Sequence, residues 1–231
     1  MSARYAIYFA PPAGSPWWTF AARWLGRDEI RGTALPFNNQ GAFGTSEQSA
    51  LTAAPRRYGF HATLKAPFRL ADGCDETQLI ARLHELVQTH EGVDLAPLML
   101  ATLGDFVALV PGSRTAELQS LAAHCVTELD DLRAPLDELD LARRRVSELD
   151  ARESELLARY GYPYVMERFR FHMTLTGSVG SAIARRVCKV LEPEINRLNR
   201  EAPLVLDRLC LFKEPDAGEP FVRVADLELK P

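Results

Sequence analysis

The chain has 231 residues, 47% hydrophobic and 25% charged, enough apolar content for one large domain or two small lobes with a proper core. Its net charge of −4 argues against bulk binding to nucleic acid or to an anionic membrane surface. The four cysteines, Cys74, Cys125, Cys188 and Cys210, are scattered and form no CxxC pair, which argues against a zinc site, a redox motif or a disulfide framework.

Tyr5 to Phe9 reads as a short strand stopped by Pro11-Pro12, with no apolar leader region before it. Ser15 then caps a helix with Pro16 in its first turn, and Trp17, Phe20, Ala21, Trp24 and Leu25 recur at helical spacing as a core stripe. Asn38 to Gly41 is a polar loop. Tyr58 to Leu70 reads as a strand, with Pro67 arguing for a sheet edge or a bend. A helix is predicted from Glu76 to His90, a hairpin from Leu95 to Val110 turning at Gly104-Asp105, and a helix from Thr115 to Leu132. The stretch from Leu136 to Tyr160 is charged and reads as a solvated helix laced by i,i+4 pairs, with Arg143-Arg144-Arg145 as a phosphate contact of second rank. Tyr160 to Tyr164 is an aromatic loop leading to a strand from Arg168 to Thr176. A helix from Ser181 to Leu198, irregular at Pro193, and a hairpin of Pro203–Phe212 and Phe221–Leu229 complete the chain. No apolar run reaches transmembrane length, so a cytoplasmic protein with no membrane partner is expected.

One word occurs twice: Phe60-His61-Ala62-Thr63-Leu64 and Phe171-His172-Met173-Thr174-Leu175. After each copy comes the same order of helix and hairpin, a repeat that suggests two lobes related by approximate two-fold symmetry around a cleft. Strand parity puts each His and Thr on one face and each Phe and Leu on the other. Two imidazoles facing one phosphate can serve as base and acid, and two threonine hydroxyls can hold its oxygens. His61 and His172 are therefore the candidate catalytic pair and Thr63 and Thr174 the candidate phosphate contacts, with base and acid not distinguished. Parity adds Lys65, Arg168, Arg170, Tyr58 and Tyr8 as candidate substrate contacts. No carboxylate or cysteine stands at ligand spacing beside either histidine, so neither a metal nor another cofactor is expected. His84, His90 and His124 read as ordinary surface or boundary residues.

The paired His61-Ala62-Thr63-Leu64 and His172-Met173-Thr174-Leu175 words resemble those of the two-histidine (2H) phosphoesterase superfamily. Arg4-Tyr5-Ala6-Ile7-Tyr8-Phe9-Ala10-Pro11, Tyr58 to Phe68 and Gly161 to Met166 are similar to its phosphonate-metabolism-associated branch, whose function is undefined. The resemblance implies an α+β fold of two pseudo-symmetric lobes, each an antiparallel sheet backed by helices, around a central cleft. It implies a single bilobed domain over residues 1–231, with one lobe roughly 1–112 and the other roughly 113–231. The activity it implies is metal-independent hydrolysis of a cyclic phosphodiester on a small phosphorylated ribose or nucleotide, by a monomer. RNA-end cyclic phosphodiester hydrolysis or ligation on a short RNA end is a second reading. A non-catalytic module that binds a phosphate ligand is a third.

Overall fold

The computed structural model describes residues 3–38, 41–138, 140–141 and 149–230. In chain order its strands are β1 (Arg4–Phe9), β2 (Arg27–Asp28), β3 (Thr33–Ala34), β4 (Ala62–Phe68), β5 (Val93–Asp94), β6 (Leu98–Leu103), β7 (Phe106–Pro111), β8 (Met173–Thr174), β9 (Val205–Leu206), β10 (Arg208–Glu214) and β11 (Val222–Glu228). The helices are α1 (Pro16–Leu25), α2 (Thr45–Leu51), α3 (Ala53–Arg56), α4 (Glu76–Val87), α5 (Ala116–Thr127), α6 (Ala151–Tyr160) and α7 (Ser181–Glu201). The α+β class with antiparallel sheets is as expected. No described helix is long and apolar enough to cross a membrane.

Two sheets organise the molecule. The larger runs β11-β10-β1-β4, and the smaller runs β6-β7-β8. β1 is buried on both faces: Ile7 and Phe9 enter the main core, while Ala6 and Tyr8 join a second cluster with Cys210, Phe212 and Phe221. β4 lies at the edge of its sheet, where the missing N–H of Pro67 breaks no ladder. The stripe of α1 is buried as its spacing predicts. Each of its core tryptophans also finds a carbonyl for its indole N–H, Trp17 on Ala202 at 2.7 Å and Trp24 on Leu175 at 2.9 Å.

The hairpins cross over between the motifs. The hairpin β6-β7, which follows the first motif, pairs with β8 of the second. The hairpin β10-β11, which follows the second motif, pairs through β1 with the sheet of the first. Each motif strand thus belongs to a sheet completed by the hairpin that follows the other motif.

Several elements differ from the sequence expectation for local reasons. The second motif strand is only Met173–Thr174, preceded by a 3-10 turn at Met166–Arg168. Beyond Thr174 the ladder gives way: both Leu175 and Thr176 donate to the Val107 carbonyl, and the Thr176 hydroxyl accepts from the Val107 N–H. In the charged stretch, Glu138, Asp140 and Leu141 are helical and α6 starts at a capping box of Asp150 and Glu153; Arg143, Arg144 and Arg145 lie outside the described residues, as do Asn39 and Gln40 of the polar loop. α7 runs on through Pro193. Its buried face of Ala184, Val187, Leu191, Ile195 and Leu198 removes enough apolar surface from water to outweigh a cost of ~3 kcal/mol for an interior proline.

Candidate functional site

A cavity of about 450 Å³ opens where β4 and β8 approach one another, and its walls include His61, Thr63, His172 and Thr174. The sequence separates these pairs widely; the fold brings all four side chains to one space. Tyr8 and Tyr58 line it too, as parity expected.

Both histidines stand one residue before their strands, in loop backbone, and both are held in the same way. His61 Nδ1 lies 3.0 Å from the Gly59 carbonyl, and His172 Nδ1 lies 2.8 Å from the Arg170 carbonyl. A carbonyl oxygen can only accept, so Nδ1 carries the proton in each ring, and in the neutral form Nε2 is the acceptor left for a ligand. Gly59 makes the first clamp possible. Its φ is +79°, and an added Cβ would lie 2.6 Å from Cβ of Glu29. Glu29 is fully buried, accepts from the Trp18 indole at 2.7 Å, and lies 3.7 Å from Arg223. Burial raises its carboxyl above the usual carboxylate range.

His61 stacks on Tyr8 with ring centroids 4.0 Å apart and lies 5.6 Å from the ring of Tyr58. Desolvation among these rings pulls its pKa down to about 4, against the pull of the Gly59 carbonyl and with a further push from the charge of His172. His61 is therefore neutral at physiological pH. That the two imidazoles sense one another places both in one electrostatic environment.

Three of the secondary candidates lie elsewhere than parity placed them. Lys65 points away from the cavity, with Nζ donating to the Val126 carbonyl at 2.9 Å and to Asp130 at 3.3 Å beneath α5. The reason is a bulge. Tyr8 faces Thr63 across the ladder, but the next residue, Ile7, faces Lys65, so Leu64 and Lys65 together oppose one partner and alternation breaks. Burial pulls the Lys65 ammonium down to about 8, with Asp130 opposing the shift. Arg168 is paired with Asp150 at the start of α6 and does not line the cavity. Arg170 contributes its backbone carbonyl to the His172 clamp, and its side chain is absent from the cavity wall.

Other wall residues carry little signal in the sequence. Phe106, at the start of β7, sets its ring 5.8 Å from that of His172, and reads in sequence only as a hairpin strand residue. Tyr162 belongs to the aromatic loop and also reaches the wall. Ser178 lines the cavity with its hydroxyl held by Asp105 of the β6-β7 turn. Among the described residues, no group of three or more His, Cys, Asp or Glu side chains is arranged to hold a metal ion.

A family model described as "Protein of unknown function (DUF1045)" matches residues 63–222. A curated relative from Janthinobacterium sp. (strain Marseille) is 41% identical over 222 residues, 95% of this chain and 49% of the relative. Another from Laribacter hongkongensis (strain HLHK9) is 39% identical over 222 residues, 94% of this chain and 50% of the relative. Both are named ribose 1,5-bisphosphate phosphokinase PhnN. The chain spans about half the length of the curated relatives it matches. Their name corrects the expected activity: they are named for a kinase, which moves a phosphoryl group, and not for a hydrolase that opens a cyclic diester. The physical reason for the error is plain. A pair of histidines and threonines specifies a phosphate and proton transfer beside it, but not which oxygen receives the phosphoryl group.

Proposed function

The chain belongs to the DUF1045 family of proteins of unknown function, and on that premise we propose that its two-histidine cavity binds a phosphorylated ribose and assists phosphoryl transfer on it. The observation that carries this reading is the convergence of His61, Thr63, His172 and Thr174 on one cavity of about 450 Å³, a volume suited to a sugar phosphate. The relatives' printed name supplies the substrate class, a ribose bisphosphate. Their PhnN name also accords with the phosphonate-associated resemblance.

In this reading Thr63 and Thr174 donate hydroxyl hydrogen bonds to the phosphoryl oxygens. His172, when protonated, donates from Nε2 to the same group and offsets its charge. The desolvated His61 is neutral and can accept at Nε2 the proton of the sugar-phosphate oxygen that takes the phosphoryl group from a phosphoanhydride donor, whose remaining phosphate leaves as the anion; this supports a base role for it. An incoming phosphate anion raises the pKa of His61 from about 4 toward the working range, because opposite charge favours the imidazolium. Tyr8 and Tyr58 form the apolar wall that keeps this exchange out of bulk water. The doubled motif and the matching ring clamps support reading the two sheets as related lobes of a 2H phosphoesterase-like frame within one bilobed domain, a frame shared without the hydrolytic reaction.

Calorimetric titration of the protein with ribose, ribose 5-phosphate and ribose 1,5-bisphosphate tests the reading. The phosphorylated sugars bind and ribose does not, and His172→Ala or a Thr63→Val/Thr174→Val double variant weakens binding by about tenfold or more. Equal binding of ribose and its phosphates, or variants with unchanged affinity, would overturn it.

A further inference from the structure

Beside the two-histidine cavity lies a second, more polar pocket of about 310 Å³. The two share Tyr58, Ala66, Pro67 and Tyr162 in their linings, so they lie side by side. Arg4, at the start of β1, and Arg57, just after α3, both line the second pocket. Both guanidinium groups converge on the single buried carboxylate of Glu214, whose Oε1 also accepts from the Gly218 N–H at 3.0 Å.

Glu214 accepts from one nitrogen of each guanidinium group. Arg4 gives Glu214 only its Nε, and Arg57 gives it one terminal nitrogen while its own Nε reaches the Glu219 carbonyl at 3.3 Å. The terminal nitrogens of Arg4 and the other terminal nitrogen of Arg57 make no hydrogen bond to described residues. Among the described residues the carboxylate on the pocket wall is Asp140, whose charge also acts on Arg4 and which is held at 2.5 Å by Arg69, itself bonded to Asp137 at 2.9 Å. Among the described residues these carboxylates are each engaged by an arginine, while terminal donors of Arg4 and Arg57 have no hydrogen-bond partner. A guanidinium fork fixed in place by a buried carboxylate is pre-organised for a planar or tetrahedral oxyanion.

We propose that this pocket is a second anion subsite, in which Arg4 and Arg57 take the distal phosphate of a ribose bisphosphate whose other phosphate lies between His61 and His172. The inference rests on the ribose-phosphate reading of the two-histidine cavity and adds to it a preference for two phosphates over one. The two pockets together then measure the ligand: one phosphate sits at the imidazoles, the sugar crosses the wall formed by Tyr58, and the second phosphate meets the arginines.

Calorimetric titration of the full chain separates the two ideas. Wild-type protein is expected to bind ribose 1,5-bisphosphate about tenfold more tightly than ribose 5-phosphate. Arg57→Gln leaves Glu214 held by Arg4 and the Gly218 N–H, and is expected to weaken the bisphosphate more than ribose 5-phosphate and so bring the two ligands within about twofold. Should Arg57→Gln fail to fold, the wild-type preference is followed against salt, where it shrinks because the bisphosphate carries the extra ion pair. Equal affinity of wild type for the two sugars, a preference that salt leaves unchanged, or an Arg57→Gln variant that weakens both alike, would overturn the subsite and leave the two-histidine reading standing. Failure of both phosphorylated sugars to bind wild type would overturn the two-histidine reading and the subsite together.

Discussion

Gly59 and His61 act as a pair: the backbone of one orients the ring of the other, and Glu29 packs where a side chain on Gly59 would go. Gly59→Ala must place an L residue at φ +79° and push against Cβ of Glu29 at 2.6 Å. Left-handed backbone costs roughly 1–2 kcal/mol and overpacking adds roughly 1–3 kcal/mol, so a loss of about 2–5 kcal/mol is expected. Gly73→Ala is the control, since φ there is +82° with nothing within 4 Å of an added Cβ among the described residues, and only the backbone cost applies. Urea denaturation of the two variants measures the difference. His61 carries a pH consequence of definite sign. Its folded pKa of about 4 lies below the ordinary 6.5, so the unfolded chain binds more protons between those values. The stability contributed by keeping this ring neutral is present above pH 6.5 and is lost as pH falls toward 4, by on the order of 2 kcal/mol. Unfolding at pH 7, 5.5 and 4.5 should show that loss in the wild type and a smaller one in His61→Phe. The His and Thr pairs were legible in sequence because their chemistry is intrinsic to the residue types. The carbonyl clamps were not, because nothing in the side chains of Gly59 or Arg170 announces where their backbone oxygens point.

The bulge in β4 decides which of its side chains reach the ligand. Lys65 stands two residues from Thr63, and strict alternation would put both on the cavity face; the extra residue sends Lys65 under α5 instead. Lys65→Met keeps most of the volume, and Asp130 keeps its partner Arg133 at 2.8 Å. The variant should bind ribose 5-phosphate within about twofold of wild type, while its stability changes by less than about 2 kcal/mol. A lysine facing the phosphate would instead lose about tenfold in binding. The same comparison shows what periodicity can and cannot deliver. α1, α4 and α5 were legible because their apolar stripes and caps agree, as with Asp75 and Gln78 at the start of α4. β8 was not, because its ladder is ended by the Thr176 hydroxyl, a long-range contact with Val107 that leaves no periodic mark.

At the scale of the molecule, the doubled motif was visible in the sequence, but the exchange of hairpins between the two sheets was not, because strand alternation says which face a residue takes and not which strand it meets. The exchange makes the two sheets interdependent. A fragment of residues 1–112 retains β6 and β7 without β8, and β1 without the β10-β11 hairpin that covers one of its edges. It should show no cooperative thermal transition by circular dichroism, whereas the full chain should unfold in a single transition. Mixing the fragment with residues 113–231 should restore at least part of that transition.

The pairing of Arg4 with Glu214 on adjacent strands also has a meaning in time. During synthesis β1 emerges well before its neighbour β10, since Arg4 and Glu214 lie 210 residues apart. Until then the strand that backs His61 has an open edge, and its apolar residues wait for a partner. A site built this way is completed only once β10 has emerged, and so long a closure slows folding relative to a chain whose neighbouring strands are made in succession.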